Sequence, residues 1–296
     1  MRAVLLLAHG TPDSLHEMPE YLTRVRGGRP PSPELVEEIR RNYAAIGGRS
    51  PLTDITRAQA VALASELGGG VSVYFGMRNW RPYLADVLAE AARDGADEIL
   101  AVPMAPQYST LSVEKYRQAV ALSTPEGVRV AFVESWHDHP GLLDAFAEKV
   151  RAALAEGRPD EVIFTAHSLP VRVAREGDPY PVQVAATAAG VAARSEVSRC
   201  RVAYQSAGRT PEPWMGPSIE EALDDLARGG ARRVLLVPVG FVCDHTEILY
   251  DLDVQARTYA RERGVELMRT ESLNVSPAFI GTLAAIVRDR TGWATA

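Results

Sequence analysis

The sequence contains only two cysteines, Cys200 and Cys243, among its 296 residues. Two thiols cannot build a disulfide framework or the four-thiolate set of an iron–sulfur cluster, and their separation does not match a zinc knuckle. No apolar run is long enough to span a bilayer, and the chain enters the apolar run 4–7 without the segments of an export signal. The sequence therefore predicts a cytoplasmic protein without a transmembrane segment and without an iron–sulfur cluster.

Several functional signatures are also missing. The net charge of −6, with no clustered basic face, argues against a nucleic-acid partner. No Gly-x-Gly-x-x-Gly follows a strand, and there is no Gly-Lys-Ser/Thr phosphate loop. Ser168 and Ser206 lack the Gly-x-Ser-x-Gly elbow of a nucleophilic serine. These absences disfavour dinucleotide-dependent enzymes, ATP-driven enzymes and serine hydrolases.

Short runs of Val, Ile and Leu alternate with segments of helical periodicity, which predicts parallel sheet covered by helices. One such helix is expected over 34–46, where apolar residues recur at helical spacing after Pro33, and another over 142–154. The predicted strands lie near residues 3–8, 71–75, 98–103, 129–134, 161–166, 200–205, 233–238 and 265–269. The fold class expected is α/β.

The sequence also repeats itself. Residues 91–103 match residues 226–238 in register through the end of a helix, a turn and a strand. The strand that ends at Ala8-His9-Gly10-Thr11-Pro12 likewise resembles the one that ends at Ala166-His167-Ser168-Leu169-Pro170. Each of these two strands places a histidine, His9 or His167, at its carboxyl end.

This repetition predicts two similar lobes, each a four-stranded parallel sheet flanked by helices. We expect an N-terminal lobe over 1–156 and a C-terminal lobe over 157–296, with the crossover near Arg158-Pro159-Asp160. Ligands of open parallel sheets bind beyond the carboxyl ends of the strands. Two facing lobes would therefore form a cleft into which both histidines point, and such a cleft suits a flat ligand.

Ionisable residues collect at two strand exits in the predicted second lobe. His167 can take a proton or ligate a metal, or it can be satisfied by a backbone carbonyl, and both interpretations stay open from the residues alone. Glu247 and Asp251 are four positions apart, so on a helix their carboxylates share one face and raise each other's proton affinity. Asp244 is expected to cap that helix, and Asp253 to face solvent.

Arginines and tyrosines occur where a polyanionic aromatic ligand could use them. Arg26 and Arg29 lie in a glycine-rich loop, Tyr43 and Ser50 lie around a helix end, and Tyr116 follows a strand. Guanidinium groups bind carboxylates through two parallel hydrogen bonds. Without further information, solvated arginines and a packed tyrosine explain the same residues.

Seven segments, in this order along nearly the whole chain, resemble signatures of the ferrochelatases, especially the bacterial branch that acts on coproporphyrin. They are Ala8-His9-Gly10-Thr11-Pro12, 43–52, Ala105-Pro106-Gln107-Tyr108-Ser109, Ala166-His167-Ser168-Leu169-Pro170, Gly177-Asp178-Pro179-Tyr180-Pro181, 205–214 and 238–251. The resemblance implies two chelatase-type lobes with a porphyrin cleft between them. It also implies that there is no external organic cofactor.

By the same resemblance, His167 and Glu247 fall where the family has its iron-binding and proton-accepting pair, and Asp251 lies on the adjoining acidic face. His9 stands where coproporphyrin-type relatives have a tyrosine that meets the metal from the opposite face, so it joins the expected metal ligands and the porphyrin contacts. The other positions that would contact porphyrin are Arg26, Asn42, Tyr43, Ser50 and Tyr116.

The sequence departs from the family pattern at a few of these positions. Asn42 replaces an arginine expected before Tyr43, which weakens one propionate contact. A lysine–histidine pair of the relatives is here Arg78-Asn79, and a later glutamate of the acidic helix is Gln255. These changes predict a weaker outer path for the metal.

The resemblance thus implies a monomeric lyase that inserts ferrous iron into a free-base porphyrin, with coproporphyrin III favoured. The alternatives are a protoporphyrin IX ferrochelatase, a cobalt or nickel chelatase of tetrapyrrole synthesis, and a porphyrin or haem carrier that does not react. An unrelated bilobal enzyme such as a sugar-nucleotide transferase would bind nucleotide in the cleft instead.

Overall fold

The computed structural model describes residues 1–208 and 210–293. Its eight strands coincide with the eight predicted from the sequence. In chain order they are β1 (Arg2–Ala8), β2 (Val71–Met77), β3 (Glu98–Pro103), β4 (Arg129–Phe132), β5 (Glu161–His167), β6 (Cys200–Gln205), β7 (Arg233–Val237) and β8 (Glu266–Arg269). They form two four-stranded parallel sheets with equivalent strand orders, β2-β1-β3-β4 and β6-β5-β7-β8. The predicted fold class is confirmed.

Helices connect the strands, and the two helices expected from periodicity are α2 and α6. The α-helices of the described residues are α1 (Met18–Val25), α2 (Pro33–Ala45), α3 (Leu52–Leu67), α4 (Leu84–Arg93), α5 (Val113–Ser123), α6 (Pro140–Glu156), α7 (Val171–Arg175), α8 (Tyr180–Arg194), α9 (Ile219–Arg228), α10 (Thr246–Leu249), α11 (Arg257–Glu262) and α12 (Pro277–Thr291). A 3₁₀-helix precedes α1, and a π-helix, Asp251–Ala256, separates α10 from α11. None of these helices is long and apolar enough to cross a bilayer.

The repeat seen in the sequence is also a structural repeat. Helices α4 and α9 are each followed by a glycine in the left-handed region, Gly95 with φ of 92° and Gly230 with φ of 87°. The next amide in each turn, that of Ala96 or Ala231, donates to a carbonyl five residues earlier, at 2.9 and 3.0 Å. This hydrogen bond ends a helix at a glycine and turns the chain into the following strand.

One hydrophobic core extends across both sheets. It joins β1 and α3 of the first half to β5 and α12 of the second, with Leu6, Phe146, Phe164 and Phe279 all at most 1% exposed. Helix α6 packs against α8 and α12, and α12 packs against α3. The predicted boundary between residues 156 and 157 falls between α6 and β5, and the division into two domains there stays a prediction.

Polar contacts join the two halves beside the cleft. The buried carboxylate of Asp178 accepts hydrogen bonds from the Ser109 hydroxyl at 3.1 Å and from the Thr110 amide and hydroxyl, each at 2.7 Å. The Gln107 amide nitrogen donates to the Val239 carbonyl at 3.1 Å. These buried bonds link the segment after β3 to the second half and so hold the cleft walls at a set distance.

The turn after β1 requires glycine for two reasons, which predicts a large stability loss for Gly10→Ala. Gly10 has φ of 91°, and a Cβ there would lie 2.8 Å from the Trp80 amide nitrogen. Gly47 has a similar φ of 97° but open space around it. We expect Gly47→Ala to cost about 1 kcal/mol of unfolding free energy and Gly10→Ala roughly 2 kcal/mol more, measured by urea denaturation. Equal losses would contradict the steric argument.

Candidate active site

The carboxyl ends of β1 and β5 open into two adjoining cavities between the halves. The inner cavity has a volume of about 310 Å³ and is lined by residues that include Ser50, Arg78 and Tyr116. The outer cavity has a volume of about 1010 Å³, and Arg26 is among its lining residues. Six residues line both cavities and so mark the place where they meet: His9, Tyr21, Tyr43, His167, Thr246 and Glu247.

At this junction the Glu247 carboxylate lies between two imidazoles. His167 Nε2 is 3.6 Å from Glu247 Oε1, and His245 Nε2 is 3.6 Å from Glu247 Oε2. The exposed fractions of the side chains are 32% for His167, 40% for Glu247 and 15% for His245. The structure therefore brings the two predicted catalytic residues together, in reach of a ligand in the cleft.

Backbone contacts orient both imidazoles. His167 is the last residue of β5, and its Nδ1 donates to the Ser168 carbonyl at 2.5 Å. The Tyr180 hydroxyl holds the same turn by donating to the His167 carbonyl at 3.0 Å. His245 Nδ1 donates to the Cys243 carbonyl at 3.0 Å. With Nδ1 protonated in each ring, Nε2 is the ring atom that faces Glu247 and the cleft; it donates to the carboxylate when the ring is protonated and offers a lone pair when the ring is neutral.

The electrostatics of this junction separate the two neighbouring carboxyl groups. Burial raises the pKa of Glu247, but the charges of His167, His245 and His9 outweigh it and bring the pKa to about 2. Burial and then the charge of Glu247 raise the pKa of Asp251 to about 6. Burial lowers the pKa of His245, yet its contact with Glu247 leaves that pKa above the ordinary value. Glu247 is thus ionised at neutral pH, and Asp251 changes its charge at a pH close to neutral.

The backbone changes from α-helix to π-helix at the second of the two acids. Helix α10 ends at Leu249, and the π-helix begins at Asp251, with the Gln255 amide donating to the Tyr250 carbonyl at 2.9 Å. The expected helix is therefore not one regular α-helix, but the two carboxylates lie close enough for the charge of Glu247 to raise the pKa of Asp251. The extra residue of a π-turn rotates the following side chains, and such turns are frequent at functional sites. The Asp251 carboxylate accepts a hydrogen bond from Ser206.

Two further expectations about this segment were wrong. Asp244 does not cap α10, because His245 occupies the N-cap position. Asp244 instead accepts hydrogen bonds from Ser272 at 2.6 Å and from the Asn274 side-chain amide at 2.8 Å. Asp253 does not simply face solvent but forms two hydrogen bonds with Arg269, at 2.9 and 2.7 Å. Asp244 binds the loop after β8 and Asp253 binds the last residue of β8, and the sequence places neither beside them.

His9 enters the junction from the first sheet. Its Nδ1 is 3.2 Å from the Gly10 carbonyl, and its Nε2 accepts a hydrogen bond from the Asn79 side-chain amide at 3.0 Å. Burial, and next the charge of Arg78, lower the pKa of His9 to about 4. The ring is therefore neutral at pH 7, and the Asn79 amide occupies its Nε2 lone pair.

The other predicted porphyrin contacts divide between the cavities. Arg26, at the end of α1, and Asn42 line the outer cavity. Ser50 and Tyr116 are buried and line the inner one, with Tyr116 on α5. Tyr43 lines both and shares a hydrogen bond of 2.8 Å with the Thr11 hydroxyl.

Arg29 lies outside both cavity linings, and its Nε donates to the Arg26 carbonyl at 3.3 Å. The segment 205–214 includes position 209, which is outside the described residues.

The predicted metal ligands do not form a closed cage. Among the residues described, no three or more His, Cys, Asp or Glu side chains are grouped to hold a metal ion. His167 and Glu247 are adjacent, whereas Asp251 is bonded to Ser206 and His9 to Asn79. The ligand roles of His167, Glu247, His9 and Asp251 all stay predictions.

Sequence reasoning missed His245 and Arg78 as site residues. His245 precedes Glu247 by two positions in an extended stretch, and this spacing was the signal for a second imidazole near the carboxylate. Arg78 was noted only as a departure from the family pattern, although it follows the strand β2. Parallel strands that neighbour β1 end at the same edge of the sheet as β1 does. A residue that follows β2, such as Arg78, was therefore predictable as a neighbour of the site.

Two solved structures have a similar fold. SirB from Bacillus subtilis with Fe³⁺ aligns with a TM-score of 0.60 and 13% identity over 98% of this chain and 95% of that chain. CbiX, described as the terminal enzyme of siroheme biosynthesis in denitrifying bacteria, aligns with a TM-score of 0.56 and 17% identity over 97% and 99%. The fold is chelatase-like, and its cleft carries the histidine–glutamate junction.

Sequence similarity narrows this class to a family. The ferrochelatase family profile matches residues 1–291. A ferrochelatase of Deinococcus radiodurans is 44% identical over 96% of this chain and 94% of its own length, and one of Thermus thermophilus is 42% identical over 96% and 98%. A coproporphyrin III ferrochelatase of Geobacillus sp. is 37% identical over 97% of each chain. The chain belongs to the ferrochelatase family.

The raised pKa of Asp251 predicts a pH-dependent stability gain for Asp251→Asn. The ordinary Asp pKa is 3.8 and the folded-state value is about 6, so ionisation destabilises the fold increasingly from pH 3.8 to 6. Removing the charge should raise the unfolding free energy by roughly 3 kcal/mol at pH 8 and about half of that at pH 5. Urea denaturation at both pH values measures this.

Asp253→Asn serves as the matched control for this prediction. Asp253 is paired with Arg269, so the control should lower stability at pH 8 rather than raise it. A gain for Asp251→Asn that is the same at pH 5 and pH 8 would contradict the titration argument.

Proposed function

We propose that this protein inserts Fe²⁺ into a free-base porphyrin in haem biosynthesis, with coproporphyrin III as the substrate. The observation that carries the proposal is the Glu247 carboxylate between His167 and His245, each 3.6 Å away, at the junction of the two cavities. An ionised carboxylate beside an imidazole lone pair attracts a divalent cation and accepts protons from the same face. Metallation of a porphyrin needs both actions.

The porphyrin would lie across the junction, with His9 of the first half and the His167–Glu247 pair of the second around its centre. Tyr43, Ser50 and other polar residues along both cavities would contact the periphery. These remote contacts would offset about 1–5 kcal/mol of ring distortion, and a bent ring exposes its nitrogen lone pairs.

Each insertion releases two pyrrole protons. His167 Nε2 would accept the first, because its Nδ1 proton is held by the Ser168 carbonyl. Glu247 would meet the cation, accept the second proton and pass it toward Asp251, whose pKa of about 6 lets it take up a proton and release it near neutrality. Asp251 lines the outer cavity, so it would release the proton to the solvent through that cavity.

His9 would act as a neutral lone-pair donor toward the ring centre once the incoming iron displaces the Asn79 amide from its Nε2. With a pKa of about 4 it adds no positive charge to repel the iron. The histidine thereby performs the role that the resemblance gives to a tyrosine at this position.

The preference for coproporphyrin III is supported by the 37% identical Geobacillus relative of that name. We propose that Fe²⁺ enters as substrate and that no resident cofactor or iron–sulfur cluster takes part. Of the two cysteines, Cys200 is exposed at the start of β6 and Cys243 is buried beside the inner cavity. We further propose that the protein acts as a cytoplasmic monomer, because one chain supplies the whole junction.

The test is anaerobic spectrophotometry with Fe²⁺ and either coproporphyrin III or protoporphyrin IX. We expect loss of the free-base spectrum, faster with coproporphyrin III. His167→Ala and Glu247→Gln should each lower kcat by at least about 10²-fold, because each removes a proton acceptor at the reacting centre. The double variant should lose little more than the worse single one, since the two residues act as a unit.

Exposed residues provide the controls for these variants. His16→Ala and Glu66→Gln remove the same chemical groups outside both cavities and should leave kcat unchanged. Near-wild-type rates in folded His167→Ala and Glu247→Gln proteins would refute the assigned roles. Tight porphyrin binding by the wild type without any metallation would instead indicate a carrier.

A further inference from the structure

The inner cavity contains a cation without an anionic partner. Arg78 is the single Arg or Lys among the described residues that line this cavity. Its guanidinium lies over the Tyr116 ring, 5.0 Å from the ring centroid, and one N–H donates to the Ser112 carbonyl at 3.4 Å. No described carboxylate forms an ion pair with it, so most of its five N–H donors are unused.

The lack of an ion-pair partner distinguishes Arg78 from Arg269, another largely buried arginine. Arg269, whose side chain is 14% exposed, is held by the Asp253 carboxylate through two hydrogen bonds and forms a further ion pair with Asp244. An unpaired guanidinium in a half-buried site is costly unless an anion arrives there. The single carboxylate lining the inner cavity, Glu247, is already taken by two imidazoles.

The arrangement of the cavities indicates which anion Arg78 meets. His167 and Glu247 line both cavities, so a ring centred on them extends one edge into the inner cavity and the other into the outer one. Arg78 lies on the inner side and Arg26 on the outer side. The two guanidinium groups would therefore lie near opposite edges of such a ring.

We propose that Arg78 anchors a carboxylate on the inner edge of the porphyrin and thereby favours tetrapyrroles with carboxylates on opposite edges. Coproporphyrin III carries a propionate on each of its four pyrroles, whereas protoporphyrin IX carries two, on neighbouring pyrroles. Only the first can offer a propionate to Arg78 and to Arg26 at once. The planar guanidinium over the Tyr116 ring is suited to bind that carboxylate through two hydrogen bonds. This inference rests on the proposed porphyrin function.

The test is fluorescence titration of the metal-free protein with each free-base porphyrin. Arg78→Met should raise the Kd of coproporphyrin III roughly 10–100-fold, because a charge-assisted carboxylate contact is lost. The Kd of protoporphyrin IX should change less than about threefold, since its two propionates fit on the outer side. Arg78→Lys keeps the charge but loses the paired geometry, so its Kd for coproporphyrin III should lie between those of the wild type and Arg78→Met.

Arg81→Met is the matched control. Arg81 also lies over an aromatic ring, that of Trp80 at 5.3 Å, but it lines neither cavity. Its loss should leave both Kd values within about twofold of the wild type. Near-UV circular dichroism and thermal melting establish that each variant is folded, and Arg78→Lys, which keeps the charge and the stem, repeats the test if Arg78→Met is not.

The outcomes separate this inference from the proposed function. An unchanged coproporphyrin III Kd in a folded Arg78 variant would overturn the anchor, even if the wild type inserts iron. Equal weakening of both porphyrins would overturn the selectivity. Conversely, selective weakening in a protein that never metallates either porphyrin would support the anchor and overturn the proposed function.

Discussion

One negative charge, the Glu247 carboxylate, organises the centre of this cleft. It remains ionised in a partly exposed position because His167 and His245 flank it, and both rings are oriented by backbone carbonyls. The same charge raises the pKa of Asp251 and that of His245. If Glu247 were neutral, neither shift would persist at its present size, and the junction would lose its attraction for a cation.

The width of the cleft depends on a second set of contacts, away from that charge. The Asp178 carboxylate binds three groups of the segment after β3, and Gln107 reaches across to a carbonyl beyond β7. The shared core and α12 join the halves on the other side. The fold thus resists both opening and collapse, which keeps room for a flat ligand between walls that belong to different sheets.

The sequence was sufficient for the fold and for part of the site. Apolar runs and the repeat of 91–103 in 226–238 predicted eight strands and two equivalent sheets, because these features depend on local periodicity. His167 and Glu247 were identifiable as residues after strands and from the family resemblance. The partners of Asp244, the π-helix at Asp251 and the unpaired state of Arg78 were not. Each depends on which distant segments pack together, and no local pattern records that.

The two histidines at equivalent strand ends show that a repeated backbone does not determine the surroundings of its side chains. His9 is confined by Asn79 beside a guanidinium, and His167 faces a carboxylate. Near-identical backbone positions therefore hold one imidazole that stays uncharged and another that borders an anion. A symmetric ring placed between them would experience an electric field across its plane. Symmetry supplies the matching positions, and the differing neighbours make the two positions electrostatically unequal.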